Sequence, residues 1–150
     1  IPLRLVGSEM CIRDRPKSRK RALSLVLLSL FFIGIGLSHF FDTDFYLHIM
    51  PPFMPFHLGL VYVSGVLEIV GGIGIYFPRL RRWVGACLML LLVAVYPVNI
   101  YMAVYPALFP EFSSTFLYIR LALQFVFLFW VYKTTLAPEE LANLSSAEMT

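Results

Sequence analysis

Charged residues and cysteines are scarce in this sequence, and each scarcity argues against a class of protein. Of the 150 residues, 14% are charged and 59% are hydrophobic, whereas a soluble domain is roughly 45–50% apolar. A soluble fold of this size could not bury so much apolar surface, so the composition predicts a protein whose solvent is lipid. The two cysteines, Cys11 and Cys87, form no CxxC pair, which argues against a disulfide framework and a thiol redox centre.

Other features that the sequence lacks narrow the function further. A metal site would need more His, Asp or Glu residues at fixed spacing than this chain offers, so we predict no metal. The basic residues flank apolar runs and form no extended stripe, which argues against nucleic acid as a partner. No internal repeat is visible, which disfavours a transporter that works by alternating access.

Residues 1–15 do not fit the rest of the chain. Their charges are scattered and no apolar core precedes a cleavage site, so they are not a signal peptide. The segment Val6–Arg15, VGSEMCIRDR, matches the translated end of a transposase-type sequencing adapter. We therefore predict that residues 1–15 are a translated adapter artefact, which re-sequencing the locus without that adapter would test.

Four apolar runs are each long enough to cross a bilayer, which takes roughly 20 helical residues. They predict membrane spans at about 22–41, 57–77, 83–105 and 115–136. The connector at 42–56 is rich in aromatic and aliphatic residues, so we predict a short interfacial helix between the first two spans. The resulting fold is an all-α, four-helix integral membrane bundle over residues 16–136, followed by a polar tail at 137–150.

The charged residues outside the spans predict the orientation of this bundle. Basic residues lie at Lys17–Arg21, in a predicted turn at Arg79–Arg82, and at Lys133, all on one side. The opposite loops carry acidic residues instead. Cytoplasmic loops are enriched in Lys and Arg, so both termini are predicted to be cytoplasmic in a multi-pass protein of the bacterial inner (plasma) membrane.

Polar residues inside the predicted spans form the candidate site. A carboxylate at the bilayer centre costs about 2.5–3.5 kcal/mol or more unless it is paired, so Glu68 needs a partner. Arg120 lies at a similar depth, in the half of the bundle away from the basic side, and is predicted to pair with Glu68. The other members of this polar cluster are Asn99, Gln124, Ser64, His57 and His39.

Two interpretations of this cluster remain open. A buried ion pair can fix helix packing and do nothing else. Alternatively the cluster binds a ligand, because it contains more polar groups than one pair needs. Histidine and carboxylate chemistry suits proton exchange with a bound quinone, which makes quinone the candidate ligand. A haem would need two facing histidines at one depth, which His39 and His57 barely provide.

An ordered set of short motifs between about His39 and Thr135 resembles the DoxX-like family of small four-span bacterial membrane proteins. The motifs are His39-Phe40, Pro51-Pro52 with Pro55, Val61-Tyr62, Ser64-Gly65 with Glu68-Ile69, Gly71-Gly72, Pro78-Arg79 with Arg81-Arg82, Pro97 with Asn99–Ala103, Arg120-Leu121 and Gln124. The resemblance implies a four-span fold. Through relatives tied to quinone-linked sulfur oxidation or oxidative-stress redox complexes, it also implies a redox role.

We therefore predict a small inner-membrane protein with a polar intramembrane site for a quinone or another lipophilic ligand, acting as a subunit of a membrane redox complex. No motif for self-sufficient catalysis is present, so any enzymatic role would be that of a subunit in a quinone-linked oxidoreductase. The expected partners are the lipid bilayer and another membrane or redox subunit. The alternative is a structural subunit without a ligand.

Overall fold

The computed structural model describes residues 19–137, which form five α-helices and no strand, as the all-α prediction requires. A single 3-10 turn, Pro106–Leu108, separates the last two helices. The predicted adapter segment at 1–15 and residues 138–150 of the predicted tail lie outside the described residues. The helices are α1 (Arg19–Phe41), α2 (Thr43–Ile49), α3 (His57–Gly74), α4 (Pro78–Val104) and α5 (Ser114–Thr135).

Four of these helices, α1, α3, α4 and α5, are long and apolar enough to cross a membrane. In α1, Leu28 and Phe32 are fully buried, while Leu23 and Leu30 on the opposite face are about 60% exposed. An apolar face this exposed is disfavoured in water and favoured in hydrocarbon. The chain is therefore a multi-pass membrane protein built as a helical bundle.

The helix ends lie within three residues of the predicted span limits except where α4 begins. This helix starts at Pro78 rather than near residue 83, and the run Arg79–Arg82 lies in its first turns instead of forming a turn. Proline is favoured at the first position of a helix because its missing N–H has no helical partner there. The buried Arg81 side chain donates from Nε to the carbonyl of Ile75, just beyond the end of α3, at 2.8 Å.

Helices α1 and α3 pack against each other through two glycines. A Cβ atom added to Gly36 would lie 2.7 Å from the carbonyl oxygen of Gly65, and one added to Gly65 would lie 2.9 Å from Cβ of His39. Small residues allow helix backbones to approach this closely in lipid. The same contact places His39, one turn after Gly36, beside Glu68, one turn after Gly65.

The two ends of the bundle differ in charge. Arg19–Arg21, Arg79–Arg82 and Lys133 share one end, called the basic end here. The connectors at the other end, called the acidic end, carry Asp42 and Glu111. The helices therefore alternate in direction, as the charge pattern predicts, while the side of the membrane that each end faces stays a prediction.

The buried apolar residues form two clusters, one toward each end. The cluster toward the basic end comprises Leu28, Phe32, Ile75, Leu88, Leu92 and Val131. The cluster toward the acidic end comprises Ile49, Val98, Met102, Ala103, Phe109 and Leu117. Because Ile49 belongs to α2, this short helix, predicted between the first two spans, packs against the bundle.

Candidate functional site

A cavity of about 400 Å³ lies between the two core clusters and is lined by residues of all five helices. Ligand pockets in proteins are typically about 300–1,000 Å³, so this volume suits one small ring. Most of the lining is apolar, with polar groups at a few positions. Those polar residues include six of the seven predicted site residues: His39, Ser64, Glu68, Asn99, Arg120 and Gln124.

His57 is the predicted site residue that the structure does not bring to the cavity. Its ring lies at the start of α3, where Nε2 is 3.0 Å from the carbonyl oxygen of Pro51. A hydrogen bond to a carbonyl requires the ring nitrogen to be the donor. His57 therefore fixes the connector between α2 and α3, and its inclusion in the intramembrane cluster was wrong.

Glu68 pairs with His39 rather than with Arg120. Glu68 Oε2 lies 3.3 Å from Nδ1 of His39, and both side chains are 8% exposed. No ion pair joins Glu68 to Arg120 within residues 19–137, so that predicted pair was wrong. The physical reason is the glycine contact, which presses α1 against α3, whereas Arg120 belongs to α5, which does not pack closely on α3.

The carboxylate of Glu68 is only partly satisfied by this contact. Nδ1 of His39 lies 2.9 Å from the carbonyl oxygen of Ile35, which makes Nδ1 the protonated nitrogen and directs its hydrogen to Ile35. Glu68 Oε2 is consequently buried without a hydrogen-bond partner. A buried, unsatisfied acceptor costs about 1–3 kcal/mol, and more for a charged group.

Arg120 is a second polar group whose partner is weak. Its Nη1 donates to the sulfur of Met102 at 3.3 Å. A thioether is a weak acceptor, whereas a guanidinium carries five N–H donors. The half-buried Arg120 side chain therefore retains donors that an oxygen atom inside the cavity would satisfy better.

Asn99 and Gln124, in contrast, satisfy each other. Asn99 Nδ2 donates to Gln124 Oε1 at 3.0 Å, and Gln124 Nε2 donates to the carbonyl of Leu92 at 2.8 Å. Nearby, the carbonyl of Val93 lacks its usual helical partner, because that partner would be the N–H that Pro97 does not have. This hydrogen-bonded bracket joins α4 to α5 along one wall of the cavity.

Helix α2 covers the cavity at the acidic end, a role that sequence reasoning missed. The ring of Tyr46 stacks on His39 with centroids 3.8 Å apart. Its hydroxyl lies 2.6 Å from Oγ of Ser38, whose own hydrogen goes to the carbonyl of Ile35 at 2.7 Å, so Tyr46 donates. Burial raises the pKa of the Tyr46 phenol. The i, i+3 spacing of Tyr46 and Ile49 was the available signal for an inward face.

The cavity offers no ligand set for a metal among the described residues. Over residues 19–137, no group of three or more His, Cys, Asp or Glu side chains lies close enough together to hold an ion. Its polar groups are arranged instead as single hydrogen-bonding side chains on separate helices. Such an arrangement suits an organic head group with more than one polar atom.

The fold and the cavity together define a small multi-pass, all-α membrane protein with a polar pocket enclosed by its spans. The chain belongs to the family described as a domain of unknown function, DUF8561, whose model matches residues 28–135, more than two thirds of the sequence. No curated protein and no solved structure matches the chain. The resemblance to the DoxX-like family stays a prediction.

Proposed function

We propose that this protein binds a lipid-soluble ligand in the cavity between its two core clusters, and that the ligand's polar head is a quinone ring. The observation that carries the proposal is the unsatisfied Oε2 of Glu68 in a cavity of about 400 Å³ that Arg120 also lines. A ligand with oxygen atoms on two sides would meet both groups at once. Glu68, protonated when it holds the ligand, would donate its carboxyl hydrogen to one ring oxygen, and Arg120 would donate to the second oxygen.

A specific observation also favours the rival, a structural role without a ligand. The Asn99–Gln124–Leu92 bracket is complete within the protein and joins two helices. Buried polar contacts of this kind can serve to fix helix packing. The bracket accounts for two of the cavity's polar residues and leaves Glu68 and Arg120 unexplained, so ligand binding stays the leading proposal.

The intrinsic fluorescence of Trp130 offers a test. Trp130 lies beside Phe31 and Phe127, which line the cavity, at ring-centroid distances of 6.2 and 6.4 Å. In a Trp83→Phe background it is the remaining tryptophan. Titration of nanodisc-embedded protein with a decyl-substituted benzoquinone, which quenches tryptophan, should give a saturable phase above the linear quenching by quinone dissolved in lipid.

Two variants on α3 make this titration decisive. Ser64→Phe fills the cavity and should abolish the saturable phase. Val66→Phe, two residues further along, places the same side chain on an exposed face and should leave the phase unchanged. Quenching that stays linear in the parent protein, or a saturable phase that survives Ser64→Phe, would count against the ligand and favour the structural role.

The proposed setting is the bacterial inner membrane, with both termini in the cytoplasm. It is supported by the grouping of the basic residues at one end of the bundle. A reporter fused after Thr150 and found outside the cytoplasm would reverse this orientation. Membership in a redox complex rests on the DoxX-like resemblance alone, and co-purification with quinone-linked oxidoreductase activity from native membranes is its test.

A further inference from the structure

We infer that the ligand of this cavity is a single-tailed amphiphile, whose polar ring lies inside the bundle and whose hydrocarbon tail leaves between α1 and α5. This inference rests on the proposed function and specifies the class of ligand. A ring without a tail would occupy the cavity and leave empty the opening between α1 and α5, called the mouth here. A molecule with a tail would occupy both the cavity and the mouth.

The packing of the helices leaves the gap on one particular side. Helix α1 packs closely on α3, and α4 on α5, whereas contact between α1 and α5 is slight. Among the described residues, hydrogen bonds and ring contacts join α1 to α5 at Ser24 and at Phe31, toward the basic end. Oγ of Ser24 accepts a hydrogen bond from Nε1 of Trp130 at 2.8 Å and lies 2.9 Å from Oγ1 of Thr134. The rings of Phe31 and Phe127 stack with their centroids 4.5 Å apart.

Beyond the Phe31–Phe127 stack, toward the acidic end, the two helices face each other across the cavity. Ile35 lines it from α1, and Phe116 and Leu123 line it from α5. Phe116 is 47% exposed and Leu123 is 42% exposed. Residues that line a cavity and are also exposed mark its mouth, so the cavity opens between α1 and α5.

The mouth and the interior differ in polarity. Ile35, Phe116 and Leu123 at the mouth are apolar, whereas Glu68 and Asn99, which also line the cavity, are polar and buried. This gradient matches a molecule with a polar head and an apolar tail.

At Leu123 the mouth lies at the depth of hydrocarbon rather than of water. Leu123 is nine residues after Ser114, the first residue of α5, so at 1.5 Å per residue it lies about 14 Å along this span. A tail that emerges there enters the acyl chains of the bilayer directly. The bilayer is therefore both the source of the ligand and the solvent of its tail.

Two probes that share one ring separate the contribution of the tail from that of the head. They are a decyl-substituted benzoquinone and the same ring with a methyl group in place of the decyl chain. Saturable quenching of Trp130 in the Trp83→Phe background gives the dissociation constant of each probe. Each constant is expressed as the mole fraction of probe in the nanodisc lipid, so that the different partitioning of the two probes from water into lipid does not affect the comparison. The decyl probe should bind about as tightly as the methyl probe on this scale, because its tail passes from lipid through an apolar mouth into lipid again.

Narrowing the mouth should act more on the tail than on the ring. Ile35→Phe combined with Leu123→Phe should weaken the decyl probe about tenfold more than it weakens the methyl probe. The matched control, Leu37→Phe with Ile119→Phe, makes the same two residue changes on exposed faces of the same two helices and should change neither affinity. If the narrowed protein is unstable, Leu123→Ala replaces it and should speed association of the decyl probe more than that of the methyl probe.

The outcomes distinguish the inference from the proposed function. Absence of saturable quenching by either probe in the parent protein would overturn both. Binding of the methyl probe without the decyl probe, or equal weakening of both by the narrowed mouth, would overturn the tail inference and leave the cavity as a site for a compact ring. Comparable binding of both probes, with the decyl probe weakened more by the narrowed mouth, is the predicted result.

Discussion

Nδ1 of His39 lies 3.3 Å from Oε2 of Glu68 at the contact between α1 and α3. The contact exists because Gly36 and Gly65 carry no Cβ and let the two backbones meet. Each functional residue follows its glycine by three positions, which is one helical turn. The sequence therefore encodes packing and chemistry in the same pair of Gly-x-x-His and Gly-x-x-Glu motifs.

The glycine contact makes a prediction with an internal control. Gly36→Ala places a methyl group 2.7 Å from both the carbonyl oxygen of Gly65 and a side-chain carbon of Ile69, so the helices must separate. Overpacking of this kind typically costs about 1–3 kcal/mol. Thermal unfolding in detergent should show the loss of stability. In the control Gly34→Ala, on the same helix, the added methyl group has no atom within 4 Å, so the thermal midpoint should stay unchanged or rise. Equal loss of stability in the two variants would contradict this packing.

Coupling between His39 and Glu68 should be measurable by a double-mutant cycle. His39→Leu removes the ring that approaches Oε2, and Glu68→Gln removes the charge while it keeps the shape. Residues in direct contact couple by about 0.5–3 kcal/mol, so the two changes in unfolding free energy should not add. The same cycle run with Glu68→Gln and Arg120→Met should show weaker coupling, and additivity for the His39 cycle would speak against the pair.

The depth of the polar residues was predictable from the sequence, but their pairing was not. Span order and direction place Glu68, Asn99, Arg120 and Gln124 in one half of the bundle, and all four line one cavity. Which side chains touch depends on which helices pack most closely. The small residues of α1 and α3 decide this, so His39 rather than Arg120 approaches Glu68.

One further difference arose from a local effect that hydropathy does not register. His57 was predicted in the cluster, but it lies at the first position of α3 and binds the connector instead. The short helix between the first two spans was predicted from its composition, and it forms as α2. The stacking of its inward-facing Tyr46 on His39, which joins α2 to the site, was not predicted.

The bracket between α4 and α5 makes a prediction about stability. Gln124→Leu leaves the side-chain amide of Asn99 without its partner, and a buried unsatisfied group costs about 1–3 kcal/mol. Chemical unfolding should show a clear loss. Adding Asn99→Leu removes the orphaned amide, so the double variant should recover part of the loss, and a double variant less stable than the single would contradict the bracket.

Tyr46 makes the stability depend on pH in alkaline solution. Burial raises its pKa in the folded protein, so above about pH 10 the unfolded chain loses this proton first. Stability that is present below pH 10 is therefore lost as the pH rises. From about pH 9 to about pH 11, the free energy of unfolding should fall more for the parent protein than for Tyr46→Phe. Equal slopes would show that this phenol does not titrate as a buried group.

The central claim is that the cavity holds the head of a lipid-soluble ligand, and a bromine-labelled ring tests it most directly. Crystals of the protein grown with a brominated, decyl-substituted benzoquinone would locate the bromine by its anomalous scattering. The account predicts one peak inside the bundle, between Glu68 and Arg120 and within the cavity lined by Ser64, Asn99 and Gln124. Peaks confined to the lipid-facing surface, with the cavity empty of bromine, would contradict it.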